Sequence, residues 1–216
     1  MSEAPPAICF DMDGVLVQSE DHWVRLQREH ILPTVAPEDE IPLSAITGRD
    51  YTEVYPDLDG EYDLAVTREE YERLFEAAGR EIYREHATML SGIDSLLADL
   101  GAAGTALALT TSAPWDWIDV IDDRFGLLHH FDAAVSAGDI DAPGKPEPHI
   151  YEHGASRLGV DPADCWAVED SVAGAQAAVA AGMTTIGFQG DGEDTSLPMV
   201  QHLASDAAEL RGLLLG

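Results

Sequence analysis

The sequence predicts an α/β fold: a doubly wound parallel sheet with a small helical domain inserted into it. Three observations carry that expectation. From residue 90 onward short apolar runs alternate with amphipathic stretches, the pattern of a parallel sheet wrapped by helices. Roughly ninety residues separate the first two apolar runs, whereas a strand–helix–strand crossover needs only about thirty, so the surplus is an insertion. Polar clusters follow the apolar runs, where open α/β sheets gather their ligands.

The first run, Ala7-Ile8-Cys9-Phe10, leads into Asp11-Met12-Asp13-Gly14-Val15. A short run that is apolar throughout reads as a buried parallel strand. Two carboxylates at its end repel each other and lose hydration, which is costly unless a cation holds them or one keeps its proton. Gly14 permits the sharp turn that folds the second aspartate back over the first. Residues 18–88 read as the helical lid, and residues 1–17 with 89–216 as the core. Within the lid, Glu20 to Ile31 is expected to be one helix and Thr67 to Glu85 another. The second carries a capping signature, Thr67 with Glu70 three residues on, and Tyr71, Leu74, Phe75, Ala78 and Ile82 on one face. The stretch from Pro33 to Asp63, rich in prolines and acids, is expected to be loop, including a second Asp-x-Asp-Gly at Asp57-Leu58-Asp59-Gly60.

The core elements follow in order. A helix over Ile93 to Leu100 is closed by Gly101 and Gly104, and a strand over 105–110 ends at Thr110-Thr111-Ser112. Pro114 opens a helix that continues to about Phe125, and Phe131 to Val135 is a short strand. Pro148 to Leu158 is helical and stops at Gly159; Cys165 to Val168 is a strand ending in Glu169-Asp170. An alanine-rich helix, Ala173 to Ala181, stops at Gly182, and Thr184 to Phe188 is the fifth strand.

Composition narrows the partners. The chain holds 41 acidic side chains against 11 basic ones, a formal charge of -30 spread along its length. Such a balance disfavours nucleic acid, whose phosphates need basic patches, and anionic membrane surfaces. No run approaches the length of a membrane-spanning helix, and the polar start lacks the pattern of a signal peptide, so a cytoplasmic location is expected. Cys9 and Cys165 fall in strand-like runs and read as small core residues. The acidic coat resembles that of proteins from salt-accumulating halophilic archaea. Ten of the eleven basic residues are arginine, and the single lysine is Lys145.

Four motifs then give a family resemblance over nearly the whole chain. Asp11-Met12-Asp13-Gly14-Val15, Thr111, Gly144-Lys145-Pro146 and Glu169-Asp170-Ser171-Val172-Ala173-Gly174 each follow a strand. In this order they resemble the motifs of the haloacid dehalogenase superfamily, in the branch of small phosphatases and β-phosphoglucomutases. The resemblance implies a Rossmann-like core with a helical cap and a Mg²⁺ cofactor. It implies that Asp11 is a nucleophile forming an aspartyl-phosphate and that Asp13 is a general acid and base. Thr111 with the amides of Ser112 and Ala113 would cradle the phosphoryl group, and Lys145 would offset its charge. Asp11, Asp170, the main-chain carbonyl of Asp13 and Glu169, directly or through water, would hold the metal.

The expected activity is hydrolysis of a small phosphate ester, a sugar phosphate or phosphoglycolate, by a monomer or homodimer. The alternative is a β-phosphoglucomutase-type phosphomutase. β-Phosphoglucomutases carry a histidine where Trp23 stands, beside His22, which weakens that alternative. The dehalogenase branch lacks the second aspartate, present here as Asp13. Ile46-Thr47-Gly48-Arg49-Asp50 resembles the cap loop that reaches into the site, and Arg49 is expected at the substrate's non-reacting end. Ser19 is expected in the hinge between lid and core.

Overall fold

The structure, a computed structural model, describes residues 4–46, 49–189 and 197–216. Strand β1 (Ala7–Phe10) is the centre of the molecule. A two-residue strand β2 (Val17–Gln18) leads into the helices α1 (Glu20–Leu26), α2 (Leu32–Val35), α3 (Tyr51–Glu61) and α4 (Arg68–Glu81). The chain returns through β3 (Thr88–Met89), which pairs antiparallel with β2. It continues through α5 (Ile93–Ala102), β4 (Ala106–Thr111), α6 (Trp115–Phe125), β5 (Ala133–Ser136), α7 (His149–Leu158), β6 (Cys165–Glu169), α8 (Val172–Ala180), β7 (Thr184–Phe188), β8 (His202–Ala204) and α9 (Ala207–Leu215).

Six strands form one parallel sheet in the order β5-β4-β1-β6-β7-β8. The chain leaves β1 for β4 on one side and later crosses to β6 on the other, so a crevice opens at the carboxyl end of β1. The period of two along β1 divides the core. Ile8 and Phe10 join Leu107, Leu109, Val168 and Ile186 against α5, α6 and α9. Ala7 and Cys9 join Ala108, Cys165 and Ala167 against α7 and α8. Both cysteines are free and buried, as expected of small core residues. The second face is built from small side chains, so α7 lies close: a Cβ on Gly154 would come within 2.7 Å of Thr110 and 3.1 Å of Cys9.

The insertion has an apolar core of its own, including Ile31, Val35, Val54, Leu58, Tyr71 and Phe75. The α4 capping box forms as the sequence predicts, with Thr67 and Glu70 reciprocally bonded. The expectation of loop from Pro33 to Asp63 is corrected by α3, which contains the second Asp-x-Asp-Gly. Asp50 caps α3 by accepting from the Thr52 N–H at 2.8 Å, and Val54 and Leu58, four residues apart, are both buried. Pro56 cannot donate to the carbonyl of Thr52, four residues earlier. Arg68 donates to that carbonyl instead, at 3.1 Å, and also pairs with Glu72. Burial of the apolar stripe, together with this substitute donor, outweighs the proline. A sixth sheet strand, β8, with helix α9 after it, was not expected from the sequence. Among the described residues no helix is long and apolar enough to cross a membrane.

Candidate active site

The four polar clusters meet in the crevice at the end of β1. Asp11 directly follows β1, its N–H donating to Val168 of β6 at 3.1 Å. Lys145 is 3 % exposed, and its Nζ donates to Asp11 Oδ1 at 2.6 Å and to Glu169 Oε1 at 2.5 Å. Burial opposes the lysine's charge, yet Asp11 and Glu169 together hold its pKa above the ordinary lysine value. Burial pushes Asp11 up to about 8, against the pull of Lys145 and with the help of Glu169.

Glu169 is fully buried and saturated. Tyr151 of α7 donates to Oε1 at 2.5 Å, and Ser171 donates to Oε2 from its hydroxyl at 3.1 Å and its amide at 3.3 Å. Sequence reasoning missed Tyr151: its helix was expected, but which helix face meets the end of β6 is decided by the close packing at Gly154. Asp170 points into the crevice toward the β1 turn. Gly14 has φ +72°, and a Cβ there would lie 1.9 Å from the Asp170 carboxylate, so only glycine fits.

Asp13 is turned toward the insertion. Ser19 donates to its Oδ1, and the Tyr83 hydroxyl lies 2.9 and 2.8 Å from its two oxygens. Trp23 Nε1 in turn donates to the Tyr83 oxygen at 3.2 Å. Burial raises Asp13 to about 6, with the Ser19 and Tyr83 bonds acting the other way. Thr111 ends β4, and its Oγ1 accepts from the Ala113 amide at 3.1 Å, which leaves the hydroxyl proton free to donate. Ser136 donates to the Ala113 carbonyl at 2.7 Å and fixes that loop, while the Ser112 hydroxyl is buried without a partner among the described residues.

The insertion closes the crevice into a cavity lined by Asp11, Asp13, Thr111, Ser112, Ala113, Lys145 and Asp170 at one end and by Trp23, Ile46, Arg49, Tyr51, Phe75 and Trp117 at the other, with Tyr83 between them. Of the residues expected in the site, all but Glu169 line this cavity, and Glu169 sits behind Lys145. Arg49 pairs with Asp57 at 2.8 Å. In its loop Thr47 and Gly48 lie outside the described residues. His22 stacks on His86, with ring centres 4.8 Å apart. Glu53 of α3 accepts from the Gly144 amide, one residue before Lys145, at 3.1 and 3.0 Å.

The donor chemistry fits a hard divalent cation. Oxygens of Asp11, Glu169 and Asp170 lie within 4.8 Å of one another. Asp170 is pushed well above the ordinary aspartate value by burial and then by Glu20, Glu169 and Asp11. Lys145 offsets only part of this charge. Carboxylate oxygens without imidazole or thiolate suit Mg²⁺.

Residues 5–182 match the model of the haloacid dehalogenase-like hydrolase family. The chain belongs to that family. It is 29% identical over 212 residues to the validoxylamine A 7'-phosphate phosphatase of Streptomyces hygroscopicus subsp. limoneus, covering 94% of each chain. It is 30% identical over 195 residues to hexitol phosphatase B of Escherichia coli (strain K12), covering 83% of this chain and 82% of that one. The fold matches that of CbbY from Rhodobacter sphaeroides in complex with phosphate, with a TM-score of 0.77, 23% identity, and 95% and 96% of the two chains covered. This hydrolase is a phosphatase, a phosphoric monoester hydrolase.

Proposed function

We propose that this phosphatase hydrolyses a small phosphorylated metabolite in two displacements through an aspartyl-phosphate at Asp11, with Mg²⁺ bound. The observation that carries the reading is the buried Asp11–Lys145–Glu169 chain facing Asp13 across the cavity floor. Asp11 attacks phosphorus. Lys145, held by Glu169, stays charged and offsets the charge that develops on the phosphoryl oxygens. Thr111 donates its free hydroxyl proton to one of those oxygens, and Ser112 and Ala113 line the same cradle. Asp13 protonates the departing oxygen and then takes a proton from the attacking water, so one group serves both displacements. Asp11, Asp170 and the Asp13 carbonyl would hold Mg²⁺, and Glu169, already committed to Lys145, Tyr151 and Ser171, would reach it through a water. When bound, the ion supplies positive charge between the anionic nucleophile and the anionic ester. Residues 18–88 would act as the cap that excludes water and shapes the leaving-group end, with Ser19 at its hinge.

Names of relatives support sugar-like esters, since validoxylamine 7'-phosphate and hexitol phosphates appear among them. The test is phosphate release from a panel of phosphorylated metabolites with Mg²⁺, for the wild type and Asp11→Asn. Release by the wild type alone is expected. The acidic surface adds a second expectation, that activity and melting temperature rise in concentrated KCl. At molar salt the screening length falls to about 3 Å and removes the surface's self-repulsion and its barrier to phosphate esters. Equal melting in dilute buffer and in molar KCl would contradict this.

A further inference from the structure

The end of the cavity away from Asp11 is aromatic. Trp23, Tyr51, Phe75 and Trp117 form a continuous cluster: Tyr51 stacks on Phe75 at 5.4 Å and on Trp117 at 5.5 Å, and Trp23 lies 5.3 Å from Trp117. Trp23 and Tyr51 are only partly buried and present surface to the cavity. Three of these rings come from the insertion and Trp117 from the core.

Among the described residues that line the cavity, the cations are Lys145, committed to Asp11 and Glu169, and Arg49. Arginine grips carboxylate or phosphate best through two parallel N–H donors. In Arg49 the Nη2 of the side-by-side Nε and Nη2 pair is taken by Asp57, which also offsets its charge. Among the described residues its Nε is buried with no partner. With Asp57 on that edge and offsetting part of the charge, the buried Nε offers a single donor that matches a hydroxyl or ether oxygen, and a second anion lacks the free two-donor edge.

Resting on the phosphatase reading above, we propose that the leaving group is an uncharged polyhydroxy ring or chain. Its C–H face lies on Tyr51 and Trp23, and one of its oxygens accepts from Arg49 Nε. Asp57 is the residue that sets this preference for neutral esters. Bisphosphates and carboxylated esters such as phosphoglycolate are disfavoured, because an anion there would face aromatic carbon and an arginine already paired with Asp57.

The experiment compares kcat/KM for three esters: a hexitol phosphate, phosphoglycolate and a hexose bisphosphate, in wild type, Tyr51→Ala and Asp57→Asn. The neutral ester is expected to lead both anionic ones by at least about tenfold, the scale of a missing pocket contact. Asp57 is exposed, so Asp57→Asn is expected to fold. By removing the negative charge that offsets Arg49 it should raise phosphoglycolate turnover relative to the hexitol ester by about five- to tenfold. Tyr51→Ala should raise KM for the hexitol ester about tenfold with a smaller change in kcat, as for a contact kept through the reaction. Wild-type preference for either anionic ester, or an unchanged ratio in Asp57→Asn, overturns the proposal while the phosphatase stands. Absence of phosphate release from every ester overturns both.

Discussion

The two ends of the cavity are built on opposite principles. At the floor, charge is concentrated and the ion pairs are tied: Lys145 between Asp11 and Glu169, and Glu169 among Lys145, Tyr151 and Ser171. At the far end aromatic rings meet with few polar groups, and the arginine there is half spent. The floor is assembled from strand ends of one rigid sheet. The far wall is assembled mostly from helices of the insertion, completed by Trp117. The contrast separates two tasks: the floor handles a phosphoryl group common to all esters, and the wall handles what distinguishes one ester from another.

If that division holds, changes at the floor abolish turnover of every ester. The largest effect is expected for Asp11→Asn, a loss of about 10³-fold or more in kcat, because the group that becomes covalently bonded is gone. Single-turnover phosphate release checks it. Lys145→Met should cost about 10²–10³-fold in kcat, the scale of one charge-stabilising donor. It should also destabilise the protein by about 3–5 kcal/mol, since two buried carboxylates lose their shared cation. Urea unfolding in a chelator measures the second effect, and an unchanged midpoint would mean that the pair is not buried in solution.

A subtler effect concerns pH. The folded-state pKa of Asp13, raised to about 6, lies above the unfolded value of about 3.9. The folded state therefore binds the extra proton, and stability falls as pH rises from about 4 through about 6. Asp13→Asn should flatten that slope and stabilise the metal-free protein at pH 7 by about 1–2 kcal/mol, while lowering activity. Thermal melts at pH 4.5 and 7 decide it. The smallest effect is expected far from the floor. Arg68→Ala frees the Thr52 carbonyl that Pro56 leaves unpaired, and should cost about 0.5–1 kcal/mol with kcat unchanged.

The same contrast governs what could be read from the sequence. Strands β1, β4, β6 and β7 are short apolar runs, and the floor residues follow them within a few positions, so local pattern locates both. Helix α3 was hidden because Pro56 and Gly60 are breakers by local rule; Val54 and Leu58 gain their burial only within the insertion's own apolar core. The three-residue β8 carries an exposed Leu203 and no alternating pattern long enough to read. Tyr83 and Asp13 are 70 residues apart, and Glu53 and Gly144 are 91. Such contacts follow from how the insertion sits on the sheet and not from any local spacing. Gly14 was legible because its turn is local, although the carboxylate it makes room for, Asp170, comes from the end of the neighbouring strand β6.

The close approach of α7 to the sheet works as a ruler. Gly154 brings the helix backbone to within a methyl group's width of Thr110, and Tyr151, three residues earlier on the same face, reaches Glu169 at that spacing. Glu169 in turn sets where the Lys145 ammonium stands. A single methyl added at position 154 acts as a lever: it lifts the helix, draws the tyrosine off its carboxylate and slackens the lysine's anchor, so a packing change on the back of the sheet is felt at the reacting phosphorus.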